Sequence, residues 1–393
     1  ANPFKQGNRT YSPTLLGGFL QCPLSFWLKH LFGLDAGNLY DEDKSELESN
    51  EYGTLMHAVL EHVVKTLHSQ EKLLAHFPSA SGKEQLIAAV EQFALDTMQA
   101  EWSKVYMPTH SRHTQPLPLE LQLRNMEKSL HDFACRHVQD LLDGWQNIAC
   151  EKVLTPTFTL SSGQTVRFKM TADRIDRHED GHWRIIDYKT SADDKKPLKQ
   201  HFDELEDGED SPFFRFMNTP QYPFPLIKAE RTNSKGEYAA KFYHWKDVQL
   251  MLYAYGLRQL NARELCSTFP DESLAHVMPD LFYYNLQTKT QSMQCFPLIE
   301  AGCLEKIPGK SKTTWHFAHT PKELLDNAMQ TVDSAIRMIQ DGVCLFSAEA
   351  LRFKNRPYSK LTGDNWDKNA PRFGAISAQS DPRSMFNLPE LEI

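Results

Sequence analysis

Apolar residues in the first 150 positions recur at intervals of three and four. In residues 12–32, Leu15, Leu16, Phe19, Leu20, Phe26, Trp27 and Leu28 follow a Ser12-Pro13 start. Serine at an N-cap with proline at the first helical position predicts a helix or helix pair there. Beyond an acidic, loop-like run at 41–51, Leu55, Met56, Val59, Leu60, Val63 and Leu67 give residues 52–67 the spacing of a largely buried helix. Residues 86–105 and 119–145 continue the pattern, the second through Leu123, Met126, Leu130, Phe133, Leu141 and Trp145. Near Glu151 the period changes to β-branched alternation, which predicts antiparallel strands over 153–160, 166–175 and 183–188, with a turn at Ser162-Gly163. Residues 195–245 are rich in Pro, Asp, Glu and aromatics without a clear period and are expected to form an irregular insertion. A helix over 246–260, strands over 281–286 and 292–298, a helix from the Pro321 region to Asp341 and a polar tail complete the pattern.

This is an α+β reading, with a large helical N-terminal portion ahead of a sheet. The 393 residues suffice for a sizeable core, read here as one domain with large insertions. Its expected parts are a helical insertion over 62–150, a catalytic hairpin region over 151–194, the irregular insertion over 195–245, core helix and strands over 246–345, and the tail over 346–393. No apolar run approaches the roughly 18 residues of a membrane span, so a membrane protein is not expected. The start at Ala1, without Met or a basic-then-apolar leader, reads as a mature or excised piece. The net charge of −8 neither indicates nor excludes a nucleic-acid partner, because a local basic groove can coexist with an acidic remainder. Seven scattered cysteines without a C-x-x-C pair suit reduced thiols in a cytoplasm.

The chemistry concentrates in residues 171–190, Thr-Ala-Asp-Arg-Ile-Asp-Arg-His-Glu-Asp-Gly-His-Trp-Arg-Ile-Ile-Asp-Tyr-Lys-Thr. A hairpin closed by Glu179-Asp180-Gly181, with glycine at the left-handed position of the loop, places Asp173 opposite Asp187. Period-two alternation then puts Lys189 on the same face as Asp187. Two opposed carboxylates repel unless a cation lies between them, and an oxygen-rich site of this type suits Mg²⁺ or Mn²⁺. A lysine beside a metal-activated water can orient it, accept its proton if its own pKa is depressed, or stabilise developing charge. The plain alternative is a surface hairpin with ordinary salt bridges.

The pattern resembles the PD-(D/E)XK nucleases of the RecB and AddB type, whose hairpin reads approximately G-x-I-D-R-I-D followed by D-Y-K-[ST]. Three further segments match in order: Ser12-Pro-Thr with Gln21-Cys-Pro-Leu-Ser-Phe-Trp-Leu-Lys, Gly53-Thr-Leu-Met-His-Ala-Val-Leu-Glu61, and Gln249-Leu-Met-Leu-Tyr253. The resemblance implies a restriction-endonuclease-like core, a central mixed sheet flanked by helices. It also implies His57 as a metal ligand beside Asp173 and Asp187, with the Tyr188 carbonyl as a further contact. Gln249 and Tyr253 would contact nucleic acid or brace the lysine, and Glu61 would either support the site or lie on the helix surface. AddB-type members hold an iron–sulfur cluster with four cysteines. Here Cys22 stands at the first position but only Cys344 lies near the C-terminal helix, so no cluster is expected.

The resulting expectation is a Mg²⁺- or Mn²⁺-dependent cytoplasmic deoxyribonuclease, an exonuclease or the nuclease domain of a helicase–nuclease in DNA repair or recombination. Its partners would be DNA and a helicase domain or subunit. The alternative is a DNA-binding scaffold of the same fold that does not cut.

Overall fold

The computed structural model describes residues 4, 9–33, 47–105, 117–191, 195–205, 218–232, 238–267, 269–286, 293–300, 303–304, 307–308 and 314–343. The expected polar tail and Cys344 lie outside these residues. The N-terminal half is helical: α1 (Pro13–Gln21), α2 (Pro23–Phe32), α3 (Ser49–Thr66), α4 (Gln70–His76), α5 (Lys83–Val105) and α6 (Leu117–Leu142). Ser12 caps α1 by accepting from the Leu15 N–H at 3.2 Å, with Pro13 at the first helical position, as the sequence predicts. Glu48 and Glu51 form a capping box at the start of α3, whose buried stripe is Tyr52, Leu55, Met56, Val59, Leu60, Val63 and Val64.

The helix expected to run to Trp145 stops at Leu142, because Gly144 adopts φ +94° and turns the chain. Strand β2 (Trp145–Leu154) therefore begins eight residues before the predicted 153–160 strand. The predicted second strand is also two. β3 (Thr157–Thr159) and β4 (Thr165–Phe168) form a small sheet with β1 (Thr10–Tyr11), and β5 (Met170–His178) starts after Lys169, whose N–H bonds to the Tyr11 carbonyl at 2.8 Å.

The main sheet has the order β12-β11-β10-β6-β5-β2. Its centre is β6 (Trp183–Lys189), antiparallel to β5 and parallel to β10 (Asp280–Asn285). β11 (Gln294–Glu300) and β12 (Cys303–Leu304) extend it. Ile186, Tyr188, Phe282 and Tyr284 pack on the helical layer of α3, α5 and α6, while Ile175, Ile185, Leu281 and Tyr283 join the core on the opposite side. That second core includes α8 (Gln249–Leu257), which follows α7 (Pro197–His201), and α10 (Pro321–Asp341), which follows the short α9 (Ala262–Leu265). A mixed sheet thus lies between two helical layers, as the α+β reading expects.

Among the described residues of 195–245, regular strands stand where the composition suggests an irregular insertion. β7 (Phe202–Leu205), β8 (Ile227–Thr232) and β9 (Tyr238–Trp245) join β13 (Ile307–Pro308) and β14 (Thr314–Phe317) in a second sheet of order β13-β14-β8-β9-β7. The alternation in β8 is real, with Ile227 and Ala229 buried between Lys228 and Glu230, but it spans only two apolar positions. Among the described residues no helix is long and apolar enough to cross a membrane.

A buried ionic network pins α6 to the sheet. Arg184 of β6 donates to Asp176 of β5 at 2.7 and 2.9 Å and to Asp140 of α6 at 2.6 and 3.3 Å. Arg174 donates to Asp176 at 2.8 Å, and the Asn147 amide donates to it at 3.1 Å. Arg174, Asp176, Arg184 and Asp140 are all at most 1% exposed. Burial pushes the Asp176 carboxyl up, but the Arg174 and Arg184 guanidinium groups outweigh it and hold the pKa at about 2. The carboxylate's contribution to stability is therefore complete above the unfolded pKa of about 4 and is lost as pH falls towards 2. Asp176→Asn should cost roughly 3–5 kcal/mol at neutral pH, because it leaves two buried guanidinium groups with Asp140 as their one remaining carboxylate partner. In urea titrations the gap between wild type and variant should shrink as pH falls from 5 towards 2. A gap below about 1 kcal/mol at pH 7 would contradict this role.

Candidate active site

The β5–β6 hairpin closes as the sequence predicts. Gly181 adopts φ +98° and donates to the His178 carbonyl at 2.9 Å, and the His178 N–H bonds to the His182 carbonyl at 2.8 Å. These bonds enclose the loop Glu179-Asp180-Gly181, where a side chain at the last position would be strained. The register then runs Arg177↔Trp183, Asp176↔Arg184, Ile175↔Ile185 and Arg174↔Ile186. One further step sets Asp173 opposite Asp187.

At that step the ladder opens. The Tyr188 N–H donates to the Asp173 carboxylate at 2.8 Å rather than to a β5 carbonyl. The Lys189 carbonyl bonds to Leu286 beyond β10, and successive residues of a strand face opposite neighbours. Both the N–H and the carbonyl of Tyr188 therefore face the gap beside Asp173. On the other side of β5 the β2 register passes from Cys150↔Arg174 to Lys152↔Ala172, which sets Glu151 opposite Asp173. Glu151, at φ +48°, is the one non-glycine residue with positive φ among those described. Three carboxyl residues, Glu151, Asp173 and Asp187, thus lie abreast on three neighbouring strands.

Asp187 is 2% exposed and held by groups from the α8 side. Its Oδ1 accepts from the Gln249 side-chain amide at 3.0 Å. Lys189 Nζ lies 2.6 Å from Oδ2, but off the alignment of a hydrogen bond, so this buried oxygen is charge-compensated without a directed bond. Gln249 also accepts from Lys189 at 3.5 Å and donates to the Tyr253 hydroxyl at 2.7 Å. Burial works against the charged Lys189, but the Asp187 carboxylate outweighs it and raises the ammonium pKa. Of the roles open to this lysine, orientation and charge stabilisation fit that environment better than proton acceptance.

Sequence reasoning missed Tyr283, whose ring faces Lys189 Nζ at 4.5 Å from its centroid. The Tyr283 hydroxyl meets His201 Nε2 at 2.9 Å, and His201 Nδ1 lies 2.8 Å from the Asp247 carbonyl. The Asp247 carboxylate accepts from the Gln249 N–H at 2.7 Å. Lys189, Tyr283, His201, Asp247 and Gln249 therefore form a closed ring of contacts around the ammonium. In the sequence Tyr283 sits in the continuous aromatic run Leu281-Phe-Tyr-Tyr, which signals only a buried strand.

His57 comes from the opposite layer. Its Nδ1 lies 3.4 Å from Glu151 Oε1 and 3.7 Å from Asp173 Oδ2. Gly53, one turn earlier on α3, lets the helix cross the end of β6, since a Cβ there would come within 3.3 Å of Thr190 Oγ1. One ligand atom each from His57, Glu151 and Asp173 lies within 4.8 Å of the others. Asp187 stands next to this set, not within it, its carboxylate turned to Lys189 and Gln249. Glu61 ion-pairs with Lys65 one turn on and lines a cleft of about 530 Å³ with Asn50, Gly53, Thr54, His57, Ala58 and Glu151.

The donor set fits a divalent cation. Burial lowers the His57 pKa, but the hydrogen bond His57 donates to the Glu151 carboxylate and the charges of Asp173 and Asp187 outweigh it and raise the imidazole to about 9. Burial, then the Asp187 charge, pushes Asp173 well above the usual carboxylate range. Both shifts mark a site short of positive charge, as does the undirected Asp187 Oδ2. Imidazole nitrogen with carboxylate oxygens can hold a divalent metal ion.

The comparisons agree with this geometry. A search of curated proteins gives no match. Residues 10–208, just over half of the chain, match the family model of the PD-(D/E)XK nuclease superfamily. The matched span contains His57, Glu151, Asp173, Asp187, Tyr188 and Lys189, and it lies on a mixed sheet between helical layers, consistent with the restriction-endonuclease-like core of that superfamily. On the family match, the chain belongs to the PD-(D/E)XK nuclease superfamily.

Proposed function

We propose that this protein is a metal-dependent deoxyribonuclease that hydrolyses phosphodiester bonds. The observation that carries the reading is the meeting of Asp173, Asp187 and Lys189 where the β5–β6 ladder opens, with His57 delivered from α3. His57, Asp173, Asp187 and the Tyr188 carbonyl are the proposed metal ligands. A Mg²⁺ or Mn²⁺ ion bound there supplies an acidified water and positive charge against the phosphate oxygens.

The chain's own residues do the rest. Lys189, kept cationic beside Asp187, orients the attacking water and stabilises charge that builds on the phosphate. Gln249 holds the Asp187 carboxylate and the lysine in one geometry, and Tyr253 fixes the Gln249 amide. Glu61 lines the approach to the site without touching it. An exonuclease, or the nuclease domain of a helicase–nuclease acting in repair or recombination in the cytoplasm, is the form we favour, from the resemblance to the RecB and AddB type. The same reading expects no iron–sulfur cluster, because Cys344 alone stands near the C-terminal helix where three thiolates would have to join Cys22.

Cleavage of end-labelled linear and circular DNA with Mg²⁺ or Mn²⁺ tests the reading. Asp187→Ala and Lys189→Ala should each lower the rate by on the order of 10²-fold or more while circular dichroism stays unchanged. Undiminished cutting by either would overturn the assignment. No metal-dependent cutting by the wild type would favour a silent DNA-binding scaffold.

The ring around Lys189 gives a finer expectation. Tyr283→Phe keeps the aromatic face and should cut within about threefold of wild type, whereas Tyr283→Leu should lower kcat about tenfold with little change in KM, the scale of a partly desolvated cation–π contact. Equal losses in the two variants would assign the effect to the hydroxyl–His201 bond instead.

A further inference from the structure

Resting on the deoxyribonuclease reading above, the geometry points to Lys196, flanked by Lys195 and Lys199, as a subsite for a backbone phosphate next to the scissile one. The chain carries a net charge of −8, and three carboxyl residues lie abreast where the ladder opens, so a polyanion needs local positive contacts to stay there. Lys189 is already taken up by Asp187.

Strand register places Lys196 beside Lys189. Lys189 Nζ lies 4.5 Å from the centroid of the Tyr283 ring, and Lys196 Nζ lies 5.0 Å from that of Phe296. Tyr283 and Phe296 are directly opposed in the β10–β11 ladder, so both rings stand on one face of the sheet with Cα atoms about 5 Å apart. The two ammonium groups therefore occupy neighbouring columns of that face. The approach of Lys196 is also fixed by the backbone. Asn285, fully buried and paired with Lys189 in the β6–β10 register, accepts from the Lys195 N–H at 2.8 Å and donates to the Lys195 carbonyl at 3.0 Å. At the other end of α7, His201 meets the Tyr283 hydroxyl at 2.9 Å. Residues 195–201 are thus tied to β10 at both ends, and their backbone is ordered before any ligand arrives.

A role in covering Phe296 explains less. A lysine stem can shield a ring, but that leaves the surrounding charge unexplained. Among the described residues none of Lys195, Lys196 and Lys199 ion-pairs with a carboxylate. By contrast, Lys228, Lys241 and Lys246, in or beside the second sheet, pair with Glu230, Glu204 and Asp203. Lys196 Nζ makes no hydrogen bond to a described residue, so its donors remain for phosphate oxygens. Lys199 is exposed one turn further along α7. Contacts of this kind hold a strand without reading its bases.

The test uses the full chain and a fluorescein-labelled DNA duplex with a single-stranded overhang. Anisotropy titrations in EDTA at several NaCl concentrations give affinity and the slope of log K against log salt. Lys196→Gln should weaken binding on the order of tenfold at low salt and reduce the slope by about 0.7–0.9, the signature of one lost phosphate contact. Lys196→Arg keeps a cation over the ring and should restore both. In Mn²⁺-dependent cleavage Lys196→Gln should raise KM, with the loss carried there rather than in kcat. Lys72→Gln, at an exposed position on α4 in the opposite layer, changes the net charge equally and should keep the wild-type slope.

If the wild type cuts DNA but Lys196→Gln matches Lys72→Gln in slope and KM, the subsite is wrong and the nuclease reading stands. If affinity falls with the slope unchanged and Lys196→Arg does not restore it, Lys196 only packs on Phe296 and the inference fails. A wild type that neither binds nor cuts DNA overturns the nuclease reading and the subsite with it.

Discussion

The geometry of the site depends on the buried cross-strand pair between Asp176 and Arg184. The two residues face each other directly in the β5–β6 register, and their charges are shielded from water. A slip of one residue would turn one of the two side chains to the other face and break the ion pair inside the core. The pair therefore fixes the register, and the register places Asp173 opposite Asp187 three residues further on. The Gly181 loop admits this register, and the ion pair excludes its neighbours.

The active-site geometry follows from where that ladder ends. Beyond Arg174↔Ile186 the strands part, and a backbone donor of β6 is satisfied by a side chain of β5. Each helical layer contributes across the gap. α3 brings His57 from one side because Gly53 allows a close crossing at Thr190, and α8 brings Gln249 from the other. The His57 side and the lysine side of the site therefore belong to different cores, joined through β5 and β6.

The parts of this arrangement that were legible in the sequence are local ones. A three-residue loop with glycine in its last position fixes which residues oppose each other, so Asp173, Asp187 and Lys189 could be placed without tertiary knowledge. His57 could be placed by its helical spacing and family resemblance, although its distance to the aspartates could not. Glu151 was not legible, because its position opposite Asp173 depends on a register shift between Asn147 and Ala149 and on a left-handed residue within a strand. Tyr283 was hidden for a related reason. Its facing of Lys189 comes from parallel pairing between strands about a hundred residues apart, and nothing in an aromatic run marks which ring will meet the ammonium. The second sheet was lost because β7 has four residues and β8 two buried apolar positions, too few for a period to rise above an unpatterned background. The early start of β2 was readable in principle from Asp143-Gly144, but the apolar Trp145 fitted the helical spacing equally well.

The central claim is that the opening of the β5–β6 ladder holds a divalent cation between layers. Anomalous diffraction from crystals of the full chain soaked in Mn²⁺ tests it most directly. The account predicts a dominant manganese peak enclosed by Asp173, Asp187 and His57, on the side of Asp173 that the Tyr188 carbonyl faces. Manganese bound elsewhere, with that position empty and Lys189 still paired to Asp187, would contradict it.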